Sequence, residues 1–492
     1  MEKTTIWLQD VKHDPCPSLE NNIDVDVLII GGGMTGISTA YHLRNSKLKI
    51  AVVDQDKIGH GVTSKSTAKL TFLQELIYSK LEKKFQPELV KLYLDSQIFS
   101  IKMVEDIIKK NHINCDFGKV DSYTFTNDEK EIDKIKKEKS ILESMGIEVR
   151  EYQHLPNEVP CKYTIAVSNT AVFHPIKYLM ELKNICLKNK ISVYERTRIF
   201  DIKKKKGLYY CIANKHVITC KKVVLACHYP FFLYPFFFPL KGHLERSYIS
   251  ASLIDKPKSF SAINTSVVSK SLRYHCDKNN AYFIYLSGSH TLEKKYNEKN
   301  NFDKLIKDAE SLKLKPQYIW SNHDIITNDY LPYIGCLKAG DNTFLMGTGY
   351  NTWGMTNGSL AGKILSDIIL EQENKYIPLF DPHRRKSISS LASIPFNVYC
   401  SVKPFIENKI LKRKSWYSSR VYFKNKNGIP LAIYKDEKGK KHIVHNKCPH
   451  MKCSLVFNEV EKTWDCPCHG SRYSIDGECI QGPSNYDISY KP

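Results

Sequence analysis

Two short motifs near the end of the chain bring together side chains that bind metal ions. Residues 448–479 read CPHMKCSLVFNEVEKTWDCPCHGSRYSIDGEC, with five cysteines and two histidines. The motifs Cys448-x-His450 and Cys466-x-x-His469 each offer one thiolate and one imidazole. Both groups are ligands of zinc and of some iron–sulfur clusters. The motifs therefore indicate a structural zinc site or a redox cluster.

The pairing of cysteine with histidine favours the redox cluster. Zinc sites usually pair cysteine with cysteine and histidine with histidine at short spacing, whereas each motif here holds one of each. This split suits a two-iron centre in which two thiolates bind one iron and two imidazoles bind the other, as in Rieske [2Fe–2S] centres. The predicted ligands are Cys448, His450, Cys466 and His469. Zinc on the same four residues is the competing interpretation.

A glycine-rich segment near the start of the chain predicts a dinucleotide-binding unit. Residues 24–56 contain an apolar run, a G-x-G-x-x-G sequence, a helical pattern and a second apolar run that ends at Asp54. In such a unit the glycines allow a tight turn, close approach to a pyrophosphate and close packing of helix on strand. The phosphates lie at the helix N-terminus, and the acid binds a ribose hydroxyl. The predicted contacts are Gly31, Gly33, Met34, Thr35, Gly36 and Asp54.

Two further segments favour FAD over NAD as the dinucleotide. The loop GHGVTSKSTAKLTF, 59–72, is rich in hydroxyl side chains and follows the acidic strand end, where a long dinucleotide needs a second set of contacts. Residues 342–369 run from a strand through glycine-rich turns into a helix that begins near Met355. The N-terminus of that helix would stabilise negative charge on an electron-rich ring. Taken singly, each segment is also compatible with an ordinary turn before a helix.

Four segments resemble the D-amino-acid-oxidase/glycine-oxidase family of FAD-dependent oxidoreductases: GGGMTG, GVTSKSTAKLT, LPYIG at 331–335 and GYNTWGMTNGSLAG. The resemblance covers roughly residues 24–372. It implies FAD as cofactor and oxidation of a C–N bond of an amine or amino acid by hydride transfer to FAD. Asp54 stands where that family more often has Glu. The resemblance also implies FAD contacts at Gly61, Ser66, Thr67, Ile199, Gly354, Met355 and Thr356.

The C-terminal segment, residues 405–492, resembles Rieske domains, especially those of cytochrome bc complexes. It departs from them in CPHMKC, where other members often carry Thr and a Leu-Gly pair. The resemblance implies one [2Fe–2S] cluster. Cys453 and Cys468 lie inside the two ligand loops and could be joined by a disulfide. The hydroxyls of Ser471 and Tyr473 could donate to cluster sulfurs, which raises the reduction potential, and Gly482-Pro483 would form a third loop over the cluster.

The predicted fold is α/β: a two-domain, Rossmann-like FAD module with a β-rich substrate domain, followed by a small all-β Rieske domain. A chain of 492 residues is too long for a single core. The apolar run 223–240 is predicted to be a buried strand and an aromatic loop rather than a membrane span, because three prolines interrupt it. The predicted boundaries are an N-terminal extension at 1–23, FAD-binding segments at 24–80, 170–230 and 331–375, substrate-binding segments at 81–169 and 231–330, a linker at 376–404 and the Rieske domain at 405–492.

Composition and the N-terminal sequence indicate which partners and which cellular compartment to expect. The net charge is +21, but lysines are spread along the whole chain, so we expect no nucleic-acid partner. The N-terminus lacks the apolar segment of a signal peptide, which predicts a cytoplasmic protein without a transmembrane segment. In that compartment most of the 15 cysteines would be free thiols. The basic run 203–206, followed by Gly207, is predicted to form a hairpin turn.

The substrate would be a small amine or amino acid, and the candidates for binding it are few. A substrate carboxylate favours the planar fork of an arginine, and arginines are scarce among the many lysines. Loss of Arg273 is predicted to weaken binding of a carboxylate substrate. No catalytic triad or carboxylate pair stands out, so the catalytic residues are not predicted. The candidates for substrate binding are Arg246, Tyr248, Arg273, Asn351 and Trp353.

Two functions remain open at this point. In the first, electrons pass from substrate to FAD, then singly through the cluster to an external acceptor. In the second, an FAD oxidase uses oxygen and its C-terminal domain is a structural or interaction module. A ring-hydroxylating oxygenase is rejected because it needs a mononuclear iron held by two histidines and a carboxylate. Outside the cluster motifs, only His442 and His445 lie three to five residues apart.

Overall fold

A computed structural model describes residues 1–9, 11–156, 159–231, 238–255, 259–266, 269–276, 280–292, 298–384, 395–396, 399 and 419–490. Its helices are α1 (Met34–Leu43), α2 (Ile77–Glu82), α3 (Pro87–Lys110), α4 (Ile132–Ser144), α5 (Pro175–Lys188), α6 (Glu298–Ser311), α7 (Gly354–Ile369) and α8 (Ile377–Phe380). The first ten strands are β1 (Ile23–Ile30), β2 (Ile50–Val53), β3 (Lys69–Leu70), β4 (Gly118–Thr126), β5 (Arg150–His154), β6 (Pro160–Val172), β7 (Ser192–Tyr194), β8 (Ile199–Lys205), β9 (Leu208–Ala213) and β10 (His216–Leu225). Those that follow are β11 (Gly242–Ile254), β12 (Ser261–Asn264), β13 (Lys270–Cys276), β14 (Ala281–Thr291), β15 (Pro316–Thr327), β16 (Tyr333–Cys336), β17 (Phe344–Thr348), β18 (Val421–Lys426), β19 (Ile429–Lys435), β20 (Lys441–His445), β21 (Val456–Asn458), β22 (Thr463–Asp465), β23 (Arg472–Tyr473) and β24 (Cys479–Gln481).

The first sheet is a mostly parallel sheet with β1 near its centre. Its strand order is β16-β17-β10-β1-β2-β7, and the hairpin β8–β9 extends from β10. β1 is parallel to both β2 and β10, which flank it on its two sides. Continuous apolar runs suit such strands because helices cover both faces of a parallel sheet. The carboxyl ends of β1, β2 and β10 meet at one edge, where open α/β sheets bind their ligands.

Helices pack on this sheet through close backbone approaches. A Cβ at Gly36 in α1 would collide with the carbonyl oxygen of Gly31, which shows how tightly α1 lies on the end of β1. A Cβ at Gly362 in α7 would collide with Ser38 of α1, so these two helices also touch closely. The long helix α3 is amphipathic, and its apolar side is buried in the main core. These packings bring the starts of α1 and α7 to the same edge of the sheet.

The second sheet is mainly antiparallel, and its strand order is β15-β11-β14-β13-β12-β4-β6-β3, with β5 added on β6. Its strands lie in two stretches of chain inserted between strands of the first sheet: β3 to β6 lie between β2 and β7, and β11 to β15 lie between β10 and β16. The basic run predicted to be a hairpin turn ends β8, and Lys206 and Gly207 connect it to β9. Strand β10 is continuous from His216 to Leu225, and its exposed Lys221 pairs with Asp26 of the neighbouring β1 at 2.8 Å.

The C-terminal domain consists of a three-stranded sheet, β18-β19-β20, and a four-stranded sheet, β21-β22-β23-β24. One apolar cluster fills it and includes the fully buried Trp464 and Tyr473. The predicted α/β fold with a small all-β C-terminal domain is thus confirmed. The linker predicted at 376–404 lies mostly outside the described residues, and so does the start of the predicted C-terminal domain. The first part of the linker contains α8. Among the described residues, no helix has both the length and the apolarity needed to cross a membrane.

Candidate active site and metal centre

A large cavity opens at the edge where β1, β2, β10 and β17 end. Its empty space, including the open mouth, is about 1220 Å³. One end lies among residues that follow β2 and precede β8, including Asp54, His60 and Arg198. The other end lies between the loop after β10 and the start of α7, at Tyr229, Tyr350 and Gly354 among others. The cavity thus borders the ends of several strands at this edge of the sheet, where open α/β sheets bind their ligands.

The glycine turn at the end of β1 is shaped for close approach of a ligand. Gly31 has a φ of +112°, and a Cβ there would overlap the backbone of Ala226. A Cβ at Gly33 would have only the Thr63 hydroxyl nearby, at 3.2 Å, so this glycine leaves backbone open to the cavity. The first N–H groups of a helix have no intrahelical acceptor, and α1 begins here. Glycine, helix start and open space together fit a pyrophosphate.

Asp54 is positioned as the acid at the end of β2. Its carboxylate accepts hydrogen bonds from the backbone N–H groups of Gly32 at 2.7 Å and Asp56 at 2.9 Å. Burial raises the pKa of Asp54 to about 6, although the two hydrogen bonds act in the opposite direction. The side chain is thus held firmly at the cavity wall, where it fits a ribose hydroxyl.

Most of the predicted cofactor contacts lie together in this cavity. The lining includes Gly31, Gly33, Met34, Thr35, Asp54, Gly61, Ile199, Gly354 and Met355. Four others are not part of the lining: Gly36 packs α1 on β1, Thr356 lies near Thr71, and Ser66 and Thr67 belong to a loop whose carbonyls accept from Trp7 and Arg273. Assignment of all these residues to FAD stays a prediction.

Sequence reasoning missed several residues of the lining. Thr63 lies in the same hydroxyl-rich loop as Ser66, and its hydroxyl accepts from the N–H of Met34 at 3.1 Å. Tyr350 bonds to the Thr35 hydroxyl at 2.7 Å. Arg198 precedes Ile199, and its Nε is buried with no acceptor among the described residues. Thr63 could have been found from its loop, whereas Tyr350 and Arg198 reach the cavity only through tertiary folding.

The two arginines predicted to bind substrate lie outside the lining. Arg273 is fully buried and donates to the backbone carbonyls of Thr67, Ala68 and Phe173 at 2.7, 2.7 and 2.9 Å. Arg246 is fully buried and pairs with Asp465 of the C-terminal domain at 2.7 Å and with Glu298. Both guanidinium groups are thus engaged within the protein.

The three other substrate candidates also lie outside the lining of the cavity. The Tyr248 hydroxyl donates to Glu298 at 2.7 Å. The Asn351 side chain bonds to the backbone around it, including the N–H of Thr327 at 2.8 Å. Trp353 is the N-cap residue of α7. A role of any of the five candidates in binding substrate stays a prediction.

The four predicted metal ligands lie on two adjacent loops of the C-terminal domain. The first loop is closed by bonds from Cys448 N to Cys453 O and from Lys452 N to Cys448 O, both 2.8 Å. The second is closed by the bond from Gly470 N to Cys466 O at 3.0 Å. The rings of His450 and His469 are 5.0 Å apart between centroids and nearly perpendicular. The loops thus bring the two imidazoles side by side.

The chemistry of these side chains fits a bound cluster. Nε2 of His450 and both ring nitrogens of His469 are buried without a hydrogen-bond partner among the described residues, and such atoms are costly unless something binds them. The Tyr473 hydroxyl lies 3.2 Å from Cys448 Sγ, and the hydroxyl of Ser471 also helps to lower the pKa of this thiol. Both hydroxyls therefore lie where donors to a cluster sulfur are expected.

A disulfide joins the two ligand loops, between Cys453 and Cys468. The thiol of Cys466 lies within 4.8 Å of both disulfide sulfurs. These three sulfurs are not a thiolate site, because two of them are bonded to each other and offer no anionic ligand. The third loop, at Gly482-Pro483, lies beside them, since Ser484 N donates to the Ser471 hydroxyl at 3.0 Å.

The C-terminal domain is docked on the FAD module with its ligand loops inward. The ring of Tyr229, which lines the cavity, lies 6.1 Å from the ring of His469 between centroids. A Cβ at Gly470 would lie 3.1 to 3.3 Å from Leu244, Leu292 and His323, so the second ligand loop sits directly on β11 and β15. The Ser321 hydroxyl donates to Glu461 at 2.6 Å. The cavity and the candidate metal centre are therefore neighbours.

Comparisons with known proteins agree with this architecture. The family described as FAD dependent oxidoreductase (DAO) matches residues 26–368, and the Rieske [2Fe-2S] domain matches residues 410–490. The chain is similar to YhfW of Bacillus subtilis, described as a Rieske 2Fe-2S iron-sulfur protein, with 29% identity over 98% of this chain and 96% of that protein. It is also similar to gamma-glutamylputrescine oxidoreductase of Escherichia coli, with 23% identity over 73% of this chain and 86% of that protein.

Among solved structures, glycine oxidase from Geobacillus kaustophilus has a similar fold. The TM-score is 0.60 at 16% identity, over 74% of this chain and 99% of that one. The family match spans more than half of the chain, and DAO-type domains bind FAD, as Rieske domains bind a [2Fe–2S] cluster. This chain therefore belongs to the DAO family of FAD-dependent oxidoreductases and carries a C-terminal Rieske [2Fe–2S] domain.

Proposed function

We propose that this chain oxidises a C–N bond of a small amine or amino acid, with FAD in the cavity as hydride acceptor. The electrons then pass one at a time through the Rieske cluster to an external acceptor. The support for the substrate class is the kinship with gamma-glutamylputrescine oxidoreductase and the fold of glycine oxidase. Two-electron oxidation of the amine yields an imine, two electrons and two protons. Two single-electron transfers through the cluster to the external acceptor, with release of both protons, therefore balance each turnover.

The observation that carries the relay is the contact of Tyr229 with His469. Tyr229 lines the cavity at the end next to α7, where the isoalloxazine ring of FAD is expected, and its ring faces a predicted cluster ligand at 6.1 Å. In this proposal the ring of Tyr229 would lie between the flavin and the cluster. A C-terminal domain that served only for attachment would have no need to turn its ligand loops toward the cavity.

The chain's own residues would prepare both sites. Gly31, Gly33 and the start of α1 would hold the pyrophosphate, and Asp54 would hold a ribose hydroxyl. The start of α7 would stabilise negative charge on the reduced ring. At the metal centre, Cys448 and Cys466 would bind one iron and His450 and His469 the other. The hydroxyls of Ser471 and Tyr473 would raise the potential of the cluster and so favour its reduction.

An anaerobic reductive titration of the full-length protein tests the proposal. FAD, iron and zinc are first quantified per chain, and absorption and EPR spectra are then recorded as reductant is added. We expect a Rieske-type EPR signal to appear before or together with bleaching of the flavin. If the flavin bleaches in iron-loaded protein and no iron signal appears, the relay is refuted. The oxygen-using oxidase with a structural C-terminal domain would then be the better description.

A matched pair of variants sharpens this test at the contact itself. Tyr229→Phe keeps the ring between cavity and cluster, whereas Tyr229→Leu removes it. Following rapid mixing with reductant, we expect the cluster to be reduced at the wild-type rate in the Phe variant and more slowly in the Leu variant. Equal rates in all three proteins, at equal FAD and iron content, would show that Tyr229 does not lie on the route.

A further inference from the structure

One wall of the cavity is formed by the C-terminal domain. Ile480, Gln481, Gly482, Pro483 and Asn485 line it together with Arg198 and Ile199 of the FAD module. We name residues 479–487 the closing loop. It covers the end of the cavity at the start of β8, next to Asp54, which is the end expected to hold the adenosine half of FAD.

A single arginine holds both ends of the closing loop. Arg198 Nη1 donates to the Asp487 carboxylate at 2.6 Å, and Arg198 Nη2 donates to the carbonyl of Cys479 at 2.9 Å. The same oxygen of Asp487 accepts from the N–H of Cys479 at 2.8 Å. The rings of Phe200 and Tyr486 add an aromatic contact at 5.5 Å. The loop is thus fastened at its first and last residues to β8 and the residue before it.

Polar groups of Arg198 and of the closing loop are available to bind a ligand in the cavity. Arg198 Nε is buried and has no acceptor among the described residues, and a buried donor without a partner is unfavourable until something accepts from it. The side chains of Gln481 and Asn485 can donate or accept hydrogen bonds, and both residues line the cavity. Phosphate and ribose oxygens of a dinucleotide are acceptors of the required kind.

We propose that the closing loop completes the FAD site, so that FAD and the docked C-terminal domain hold each other in place. This inference depends on the proposed location of FAD in the cavity. FAD would then leave only after the closing loop moves away from Arg198. By thermodynamic reciprocity, bound FAD would stabilise the docking of the C-terminal domain to the same extent as docking stabilises FAD.

The test measures FAD release from the full-length holoprotein, since flavin fluorescence rises when FAD leaves a quenching site. Asp487→Ala is the main variant because Asp487 fastens the loop but does not line the cavity. Glu437→Ala is the control, since this exposed acid pairs only loosely with Arg420 of the same domain, at 3.7 Å. We expect release to be about 3- to 10-fold faster in Asp487→Ala, as for loss of a partly exposed charged hydrogen bond, and unchanged in Glu437→Ala. Iron content should be equal in all three proteins.

Hydrogen exchange on the wild-type chain provides a second reading that needs no variant. Removal of FAD should speed exchange at the amide of Cys479, which is bonded to Asp487. The inference would be overturned if Asp487→Ala released FAD at the wild-type rate, or if hydrogen exchange at the Cys479 amide were unchanged in the FAD-free protein. If Asp487→Ala does not fold, Asp487→Asn and the exchange measurement decide the matter. Wild-type protein that contains no FAD would instead refute the proposed function.

Discussion

Replacement of Arg246 by methionine should weaken the docking of the C-terminal domain on the FAD module. Arg246 is 0% exposed and pairs with two carboxylates, Asp465 of the C-terminal domain and Glu298 of α6, whose side chains are 6% and 7% exposed. Its Nε also donates to His323 at 2.5 Å. The variant would leave these buried carboxylates without their shared cation.

The expected loss of stability in Arg246→Met depends on the partners that Asp465 and Glu298 keep. Removal of one member of a buried ion pair costs about 3–5 kcal/mol, because it leaves an uncompensated buried charge. Asp465 would keep Arg472 at 3.1 Å, and Glu298 would keep the hydroxyl of Tyr248 at 2.7 Å. These remaining contacts place the expected loss at the lower end, about 3 kcal/mol.

Urea unfolding of the holoprotein, monitored by cluster absorption and flavin fluorescence, measures this loss for each domain. We expect the cluster transition of Arg246→Met to move to lower urea by about 1 M or more, given slopes of about 1–3 kcal/mol/M. Arg150→Met is the matched control, because Arg150 is 36% exposed and its pair with Asp121 is worth about 0–1 kcal/mol. Adding Glu298→Gln to Arg246→Met should recover part of the stability by removing one unpaired charge.

A loss below about 0.5 kcal/mol in Arg246→Met would refute this reasoning, since it would match an exposed residue rather than a buried cation. A raised KM for a carboxylate substrate with unchanged unfolding would also refute it. That result would instead support the role in substrate binding predicted from the sequence. The two roles therefore differ in their readouts.

Three further predictions test the cavity, the metal centre and a buried acid. Gly36→Ala should lower both stability and FAD content, since its Cβ would collide with the Gly31 carbonyl and force a backbone shift that costs about 1–3 kcal/mol. Gly118→Ala is the control, because a Cβ there would have nothing within 4 Å and should not lower FAD content. Calorimetry and FAD quantification compare the two variants. The double variant Cys453→Ser/Cys468→Ser should destabilise the C-terminal domain by about 3 kcal/mol, because the disulfide spans 15 residues. It should also lose iron faster than the control variant Cys161→Ser, which replaces a free cysteine. Equal iron retention in the two variants would contradict this prediction. Burial raises the pKa of Glu138 from 4.5 to about 7, so the folded state binds this proton more tightly, and the stabilising contribution is complete below about pH 4.5 and lost as the pH rises through about 7. Glu138→Gln should therefore flatten the pH dependence of unfolding across that range, and an unchanged slope would show that Glu138 is not the group responsible.

The local patterns in the sequence determined much of this protein. The apolar run, G-x-G-x-x-G and Asp54 predicted β1, α1 and the acid at the end of β2, because each depends on residues close together in the chain. The two Cys–His motifs likewise predicted adjacent ligand loops, and the disulfide between Cys453 and Cys468 is present in the structure. Short-range spacing determines turns, helix starts and loop shapes, so such features can be read without a tertiary structure.

The tertiary structure alone decided how the two modules meet. Arg246 and Arg273 looked available for a substrate carboxylate, but folding buries them against partners that are remote in the chain, such as Asp465, which lies 219 residues from Arg246. Arg198 lies 289 residues from Asp487, and no spacing in the sequence indicated that the closing loop would line the cavity. The contact of Tyr229 with His469 is equally remote in sequence. Such pairings depend on which surfaces become buried together, and this is settled only when the whole chain packs.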